Sequence, residues 1–468
     1  MERPNVLILY TDQQRHDALG VNGNADIQTP VLDRLAREGV NFDHCLVQNP
    51  VCMPSRASFL SGRYPSSLGI THMGVPLPED VVTLPHLLKP YGYRSANIGK
   101  LHFLPHANRD HRVPHPMYGF DHLEISDEPG TYEDAYRAWV ASIAPEQLDG
   151  LSAGLPPGAD VWYRALGLED TVPHPHKWAR QDYRGTTSFP AADDVTHTAF
   201  VAERTINFLQ QEHGPFLCIA GFYSPHPPWI VPQRWLDLYD RQSLALPGFP
   251  PEVEARREAA GCTDDLLRSA RHGYYAMVSE VDWHVGRLLQ ALEDRGLADN
   301  TIVILTSDHG EWLGEHLRWG KGYPGADAVS RVPLLVRWPA GKLHSGHRVS
   351  EVVEALDVLP TLLEMAGIQV PPHLQGSSLL PLLHGAQDDS QGSAMMEANG
   401  WKTLRTADFR YLVHDDGRES LWDLRADPRE YHDVSGDRRY GEALSEHRHL
   451  LLQRLLSMER PLPRAWIY

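Results

Sequence analysis

Asn5-Val6-Leu7-Ile8-Leu9-Tyr10 is a short, unbroken apolar run that ends in Thr11-Asp12-Gln13-Gln14-Arg15. A strand buried on both faces reads this way, because packed helices rather than water meet each face. The form returns twice. Thr301-Ile302-Val303-Ile304-Leu305-Thr306 ends in Ser307-Asp308-His309-Gly310-Glu311, and the run from Pro215 to Phe222 ends in Tyr223-Ser224-Pro225-His226-Pro227-Pro228. Each run releases polar, ligand-capable residues at its C-terminal end, the edge at which open α/β sheets bind ligands. Tyr93 to Ile98 reads as a further strand, followed by Gly99-Lys100-Leu101-His102. Helical spacing of apolar residues predicts helices from Thr29 to Gly39, Thr196 to Gln211 and Asp264 through Gly296. Strands alternating with helices predict an α/β fold with a mainly parallel central sheet flanked by helices.

At 468 residues the chain exceeds the size at which single cores stop growing, so one large domain with a smaller appended one is expected. The turn-rich stretch from Gly385 to Gly392 places the boundary. Residues 1–385 are then the main α/β domain, and 386–468 a C-terminal α+β subdomain with strands at Trp401–Arg405, Phe409–His414 and Ser420–Asp423 and a helix from about Tyr440 to Glu459. The segment from about 106 to 194 is rich in His, Pro, Gly and Trp with little periodicity, and reads as an insertion that shapes or covers a binding site. Most of the 26 histidines, including His106, His111, His115, His174 and His176, read as surface or insertion residues. Trp162, Trp178 and Trp229 are candidates to line a sugar or aryl pocket.

Cys45, Cys52, Cys218 and Cys262 have no regular spacing and fit neither a disulfide framework nor a zinc pattern. The N-terminus has no signal-peptide core and no apolar run approaches membrane-spanning length, so a soluble, cytoplasmic protein is expected. A net charge of −18 argues against a nucleic-acid partner, and means that local basic residues must hold any anionic substrate. The last residues, Pro461 to Tyr468, end in bulky apolar side chains and read as a segment docked on a neighbouring subunit of a homo-oligomer.

Val51-Cys52-Met53-Pro54-Ser55-Arg56 precedes a helix-like run in which Pro54 fits the first turn. Cys52 is expected just ahead of the helix N-terminus, where free backbone N–H groups and the helix dipole favour an anion, and Arg56 adds charge one turn in. Asp12, Gln13, Asp308 and His309 are two pairs, each at the end of a core strand. Two carboxylates and an amide oxygen suit Ca2+, and the imidazole of His309 widens the choice toward Mn2+.

The Cys-X-Pro-X-Arg pattern at Cys52 resembles the signature of the type I, formylglycine-dependent sulfatases of the alkaline phosphatase superfamily. The likeness extends over almost the whole chain. The segments at Asp12-Gln13 and Asp308-His309 look like the family's metal-binding segments, with Gln13 and His309 where many members have Asp and Asn. Gly99-Lys100-Leu101-His102 is similar to its Gly-Lys-X-His motif, His226 resembles the histidine near the leaving group, and Lys321 resembles the second sulfate-binding lysine. The resemblance implies hydrolysis of a small-molecule sulfate monoester, with Cys52 oxidised to formylglycine by a separate generating enzyme and held at one divalent cation bound by Asp12, Gln13, residue 52, Asp308 and His309. It also implies that Arg56 holds the hydrated aldehyde, Lys100 and Lys321 bind sulfate oxygens, His226 protonates the leaving oxygen and His102 removes a proton to release sulfate. The rival reading is a phosphonate monoester or phosphodiester hydrolase of the same superfamily, which shares the formylglycine and a similar metal set but lacks the Gly-Lys-X-His motif. A non-catalytic anion-binding relative is the third, and would need no nucleophile.

Overall fold

The computed structural model describes residues 3–152, 154, 159–168, 183–386 and 392–459. Its main sheet is built from β1 (Asn5–Thr11), β2 (Val40–Leu46), β3 (Arg94–Gly99), β4 (His122–Ile125), β5 (Phe216–Gly221), β6 (Thr301–Ser307), β7 (Leu334–Arg337) and β8 (His347–Glu354). The order across the sheet is β8-β2-β7-β6-β1-β5-β3-β4, with a two-residue piece, Arg331–Val332, beside β2. Strand β7 runs antiparallel to β2 and β6, and the other neighbours among these eight are parallel. The expected mainly parallel α/β sheet is therefore present.

Alternation along each central strand divides the core into two layers. Val6, Ile8 and Tyr10 pack into one apolar cluster with Leu217, Ile219, Ile302 and Ile304. Leu7 and Leu9 pack into the other with Cys218, Ala220, Val303 and Leu305. Because both faces are covered, the sequence of these strands is apolar without a break. Helices α1 (Pro30–Glu38), α3 (His197–Gln211) and the 31-residue α4 (Asp264–Asp294) lie on one face, while α2 (Cys52–Ser61) packs on the other. Thr196 and Thr263 cap α3 and α4 by accepting from the N–H groups of Ala199 and Leu266, as the sequence boundaries anticipate.

One boundary differs in a way that matters. Cys52 is the first residue of α2 and not the residue ahead of it, with Val51 as the extended N-cap and Pro54 in the first turn. All ten residues of α2 are buried, so this helix is an internal strut and not an amphipathic cover.

The C-terminal residues form an antiparallel sheet, β9 (Ala394–Ala398), β10 (Trp401–Arg405), β11 (Phe409–His414) and β12 (Glu419–Asp423), with α5 (Gly441–Met458) against it. Strand β9 was not anticipated. Within the 106–194 segment, His122–Ile125 supplies the sheet's edge strand. Residues 387–391 of the expected linker, His174, His176, Trp178, the side chain of Trp162 and the tail 461–468 lie outside the described residues. Among the described residues no helix is long and apolar enough to cross a membrane.

A buried ion cluster fastens the C-terminal sheet to the main one. Asp327 meets Arg410 of β11, and its second oxygen lies 3.3 Å from Arg405 of β10 and 3.8 Å from Arg331. Burial alone would raise the Asp327 carboxyl, but Arg405, Arg410 and Arg331 outweigh it and hold the group below its ordinary range. Removing the carboxylate takes a charge partner from all three arginines, so Asp327→Asn is expected to cost about 3 kcal/mol, read as a lowered urea midpoint. Because the folded pKa is depressed, this contribution is complete above the unfolded value of about 4 and is lost as pH falls through the folded one. The stability gap between wild type and the variant should therefore narrow in acid.

Candidate active site

The ends of β1 and β6 set the floor of the site. Thr11 pairs with Ser307, so Asp12 and Asp308 leave the sheet side by side. The Gln13 N–H donates to Asp308 Oδ1 at 3.0 Å, which fixes the two strand ends to each other. Gln13 takes a left-handed conformation there, with φ of 70°.

Helix α2 brings Cys52 and Arg56 down onto these carboxylates. Cys52 Sγ lies 3.1 Å from His309 Nε2 and 3.8 Å from Asp12 Oδ1. Arg56, 1% exposed, donates from Nε to Asp308 Oδ2 at 2.7 Å and from Nη1 to the Lys100 carbonyl at 3.1 Å, with its guanidinium over the Tyr10 ring. The resemblance assigned Arg56 to the nucleophile; among the described residues its charged and hydrogen-bonding partners are Asp308, Asp12 and the backbone of Lys100.

Lys100 follows β3 at a point where two strands nearly touch. A Cβ on Gly99, whose φ is +93°, would lie 2.1 Å from the Gly221 carbonyl oxygen, and one on Gly221 would lie 2.3 Å from the Lys100 carbonyl oxygen. Only glycine fits this crossing. Its result is a buried Lys100 ammonium 2.6 Å from Asp12 Oδ2 and over the Tyr223 ring at 4.8 Å. His102 also has positive φ, 55°, and Asp127 holds that turn by accepting from the N–H groups of Leu101 and His102. Both His102 ring nitrogens are buried without a hydrogen-bond partner among the described residues.

The remaining two predicted residues close the open side. Lys321 Nζ lies 2.7 Å from Cys52 Sγ, 3.1 Å from His226 Nε2 and 3.3 Å from Gln13 Oε1. His226 and Lys321 are half-buried, whereas Asp12, Gln13, Cys52, Lys100, His102, Asp308 and His309 are buried. The mouth of the site is therefore on their side.

The electrostatics follow from burial and close charges. Burial would raise the Asp12 carboxyl, but Lys100, His226, Lys321 and Arg56 overcome this and hold it well below the usual range. Burial, helped by Asp12, pushes the Cys52 thiol up to about 12. The same cause, with the neighbouring lysines, pushes His102 and His226 well below the ordinary imidazole value. Burial thus disfavours the thiolate of Cys52 while no metal ion is bound.

One ligand atom from each of Asp12, Cys52, Asp308 and His309 can be chosen so that all four lie within 4.8 Å of one another. His309 Nδ1 donates to the Gly310 carbonyl at 2.8 Å, which leaves the Nε2 lone pair facing the group. This donor set is able to hold a metal ion.

The structure thus brings every predicted site residue into one constellation, and adds residues that sequence reasoning left out. Glu311 takes the Gln13 side-chain amide and the N–H groups of Leu313 and Gly320, so one buried carboxylate orients both Gln13 and the Lys321 loop. Its place two residues after His309 was the available signal. His106, read as surface or insertion, is 7% exposed and lies 5.1 Å ring to ring from His102. Trp229 is 1% exposed and packs on Tyr274, with its N–H on the Pro225 carbonyl; it buttresses the His226 turn and lines no open pocket.

Known proteins resemble this chain along most of its length. A family model described as Sulfatase matches residues 4–368, and one described as N-sulphoglucosamine sulphohydrolase, C-terminal, matches residues 314–457. An arylsulfatase of Clostridium perfringens is 28% identical over 98% of this chain and 95% of its own. A multifunctional alkaline phosphatase superfamily protein of Trinickia caryophylli is 28% identical, covering 96% of this chain and 94% of its own. The crystal structure of the phosphonate monoester hydrolase of Agrobacterium radiobacter superposes with a TM-score of 0.82 at 26% identity, over 97% of this chain and 96% of that one.

Since Glu311 holds Gln13 and the Lys321 loop together, Glu311→Gln should leave the fold intact and lower turnover or divalent-ion affinity by about 10- to 100-fold. Steady-state kinetics and calorimetric titration with Ca2+ read the two effects.

Proposed function

The chain belongs to the sulfatase family, and from that premise we propose that it hydrolyses a small-molecule sulfate monoester at residue 52, with formylglycine made from Cys52 and one divalent cation. The observation that carries the reading is the convergence of Lys100, Lys321 and Arg56 with Cys52 in one buried pocket of an acidic protein. A pocket of fixed cations around a small side chain suits a tetrahedral anion with several free oxygens.

The donor set fits a divalent ion. Asp12 and Asp308 supply carboxylates, His309 a directed lone pair and Gln13 an amide oxygen, a set suited to Ca2+ with Mn2+ as the alternative. When bound, such a cation neutralises charge on the ester and acidifies a neighbouring hydroxyl. Formylglycine, when formed, supplies a hydrated aldehyde with two hydroxyls on one carbon.

The chain's own residues then divide the work. Lys100 and Lys321 hold the non-bridging oxygens of the ester, and Arg56 fixes Asp308, Asp12 and the Lys100 backbone so that these groups do not drift. His226, within 3.1 Å of Lys321, gives a proton to the leaving oxygen on the open side. His102, whose ring nitrogens are unengaged, accepts the proton that leaves residue 52 as sulfate departs. Maturation by a formylglycine-generating enzyme, a cytoplasmic location and a homo-oligomeric state complete the reading, as does the division into a catalytic domain of 1–385 and a subdomain of 386–468.

A second reading, phosphonate monoester hydrolysis, is favoured by the Asp, Gln, Asp, His set and by the similarity to the Agrobacterium radiobacter enzyme. Lys100 supports the first reading and supplies the test. A sulfate monoester offers three non-bridging oxygens and a phosphonate monoester two, so the extra cation serves sulfate. Aryl sulfate should be turned over with the higher kcat/KM, and Lys100→Ala should cost about 10²- to 10³-fold on it and far less on an aryl phosphonate. Faster phosphonate turnover that is indifferent to Lys100→Ala would move the second reading to the front.

A further inference from the structure

We propose that Glu128 is a positioning residue for the leaving-group acid, acting on His226 through the hydroxyl of Tyr223. The inference rests on the functional reading above and extends it to residues that the sequence did not single out.

Glu128 is 4% exposed. Its Oε2 lies 3.5 Å from the Tyr223 hydroxyl, and its Oε1 lies 3.4 Å from His106 Nε2. The Tyr223 hydroxyl is in turn 2.9 Å from His226 Nδ1, and the face of its ring carries the Lys100 ammonium at 4.8 Å. One buried carboxylate is thereby joined to both flanks of the site. On one side it reaches His226 through Tyr223; on the other it reaches His106, whose ring leans on that of His102.

The hydrogen-bond directions give this chain a sense. His226 Nδ1 lies 2.6 Å from the Pro227 carbonyl, which can only accept, so Nδ1 carries a proton and Nε2 is the atom that exchanges one. The Tyr223 hydroxyl can donate to the Pro227 carbonyl at 2.7 Å or to Glu128 Oε2 at 3.5 Å. When it turns to Glu128, the phenol oxygen presents a lone pair that shares the Nδ1 proton with the Pro227 carbonyl. Carboxylate, phenol and imidazole are then in line, and negative charge at one end favours positive charge at the other. His226 needs that help, because Lys321 faces its Nε2 at 3.1 Å and repels the doubly protonated ring. Glu128 thus favours the form of His226 that carries the Nε2 proton, which passes to the leaving oxygen as the ester bond to sulfur breaks. A carboxylate kept only for packing would have no such directed path.

The test is a leaving-group series. Aryl sulfates whose phenols span good to poor leaving ability are assayed with the wild type, Glu128→Gln, Tyr223→Phe and the double variant, and the same series is run as aryl phosphonate monoesters. Each single variant should lose about tenfold on the poorest leaving group and change little on the best, so that the dependence of rate on phenol acidity steepens. The double variant should be no worse than either single one. An equal loss across the series, no loss at all, or additive losses in the double variant would overturn the proposal. A wild type active only on the phosphonates would count against the sulfate reading alone, since the series then reads Glu128 on those substrates. If Glu128→Gln fails to fold by its thermal melt, Tyr223→Phe keeps the ring over Lys100 and carries the test.

Discussion

The guanidinium of Arg56 is the interaction on which the rest of the site depends. It is buried in the middle of α2, donates to Asp308 at 2.7 Å, reaches Asp12 at 3.7 Å and Lys100's carbonyl at 3.1 Å, and stacks on Tyr10. One side chain therefore ties a helix to the ends of β1, β6 and β3. Burying a full charge is costly unless partners surround it. Here the partners are the strand ends that have to converge, so satisfying the arginine and assembling the site are the same event. The helix start that presents Cys52 is held one turn away by this anchor.

Charge balance explains why the pocket suits an anion inside a chain of net charge −18. Asp12 and Asp308 are opposed by Arg56, Lys100 and Lys321, so cations outnumber carboxylates in the group nearest residue 52, with the carboxylates of Glu311 and Glu128 standing behind it. The lysines come from opposite sides: Lys100 through the glycine crossing at Gly99 and Gly221, and Lys321 through the loop that Glu311 fastens. Among the described site residues, Lys321 and His226 are the half-buried ones. Substrate discrimination by the organic group therefore falls to whatever surrounds that mouth, while the buried floor reads only the anion.

Much of the fold was legible because buried parallel strands leave an unbroken apolar signal. Asn5–Thr11, Thr301–Ser307 and Phe216–Gly221 stand at the centre of the sheet and were readable. Strands β2, Val-Asn-Phe-Asp-His-Cys-Leu, and β8, His-Arg-Val-Ser-Glu-Val-Val-Glu, lie toward one edge, carry polar residues and were not. The four-residue β4 and β7 are too short to show a period. Most site residues named from the sequence follow strands or lie on α2, where local order in the chain fixes their position; Lys321 is the exception, on a loop that Glu311 fastens. Glu311, Glu128, His106 and Tyr223 gain their importance only from what other segments bring to them, and a linear reading has no way to weigh such contacts.

The central claim is that residue 52 works as a formylglycine and not as a thiol, as the Cys-X-Pro-X-Arg pattern and the burial of Cys52 among the metal-ligand candidates argue. The most direct measurement is peptide mass spectrometry of the segment containing residue 52, on protein produced with and without a formylglycine-generating enzyme, alongside aryl sulfate turnover of the same samples. The account predicts CHO in place of CH2SH at residue 52 and turnover in proportion to the converted fraction. Full turnover by protein that carries only the thiol, or none by fully converted protein supplied with Ca2+ or Mn2+, would contradict it.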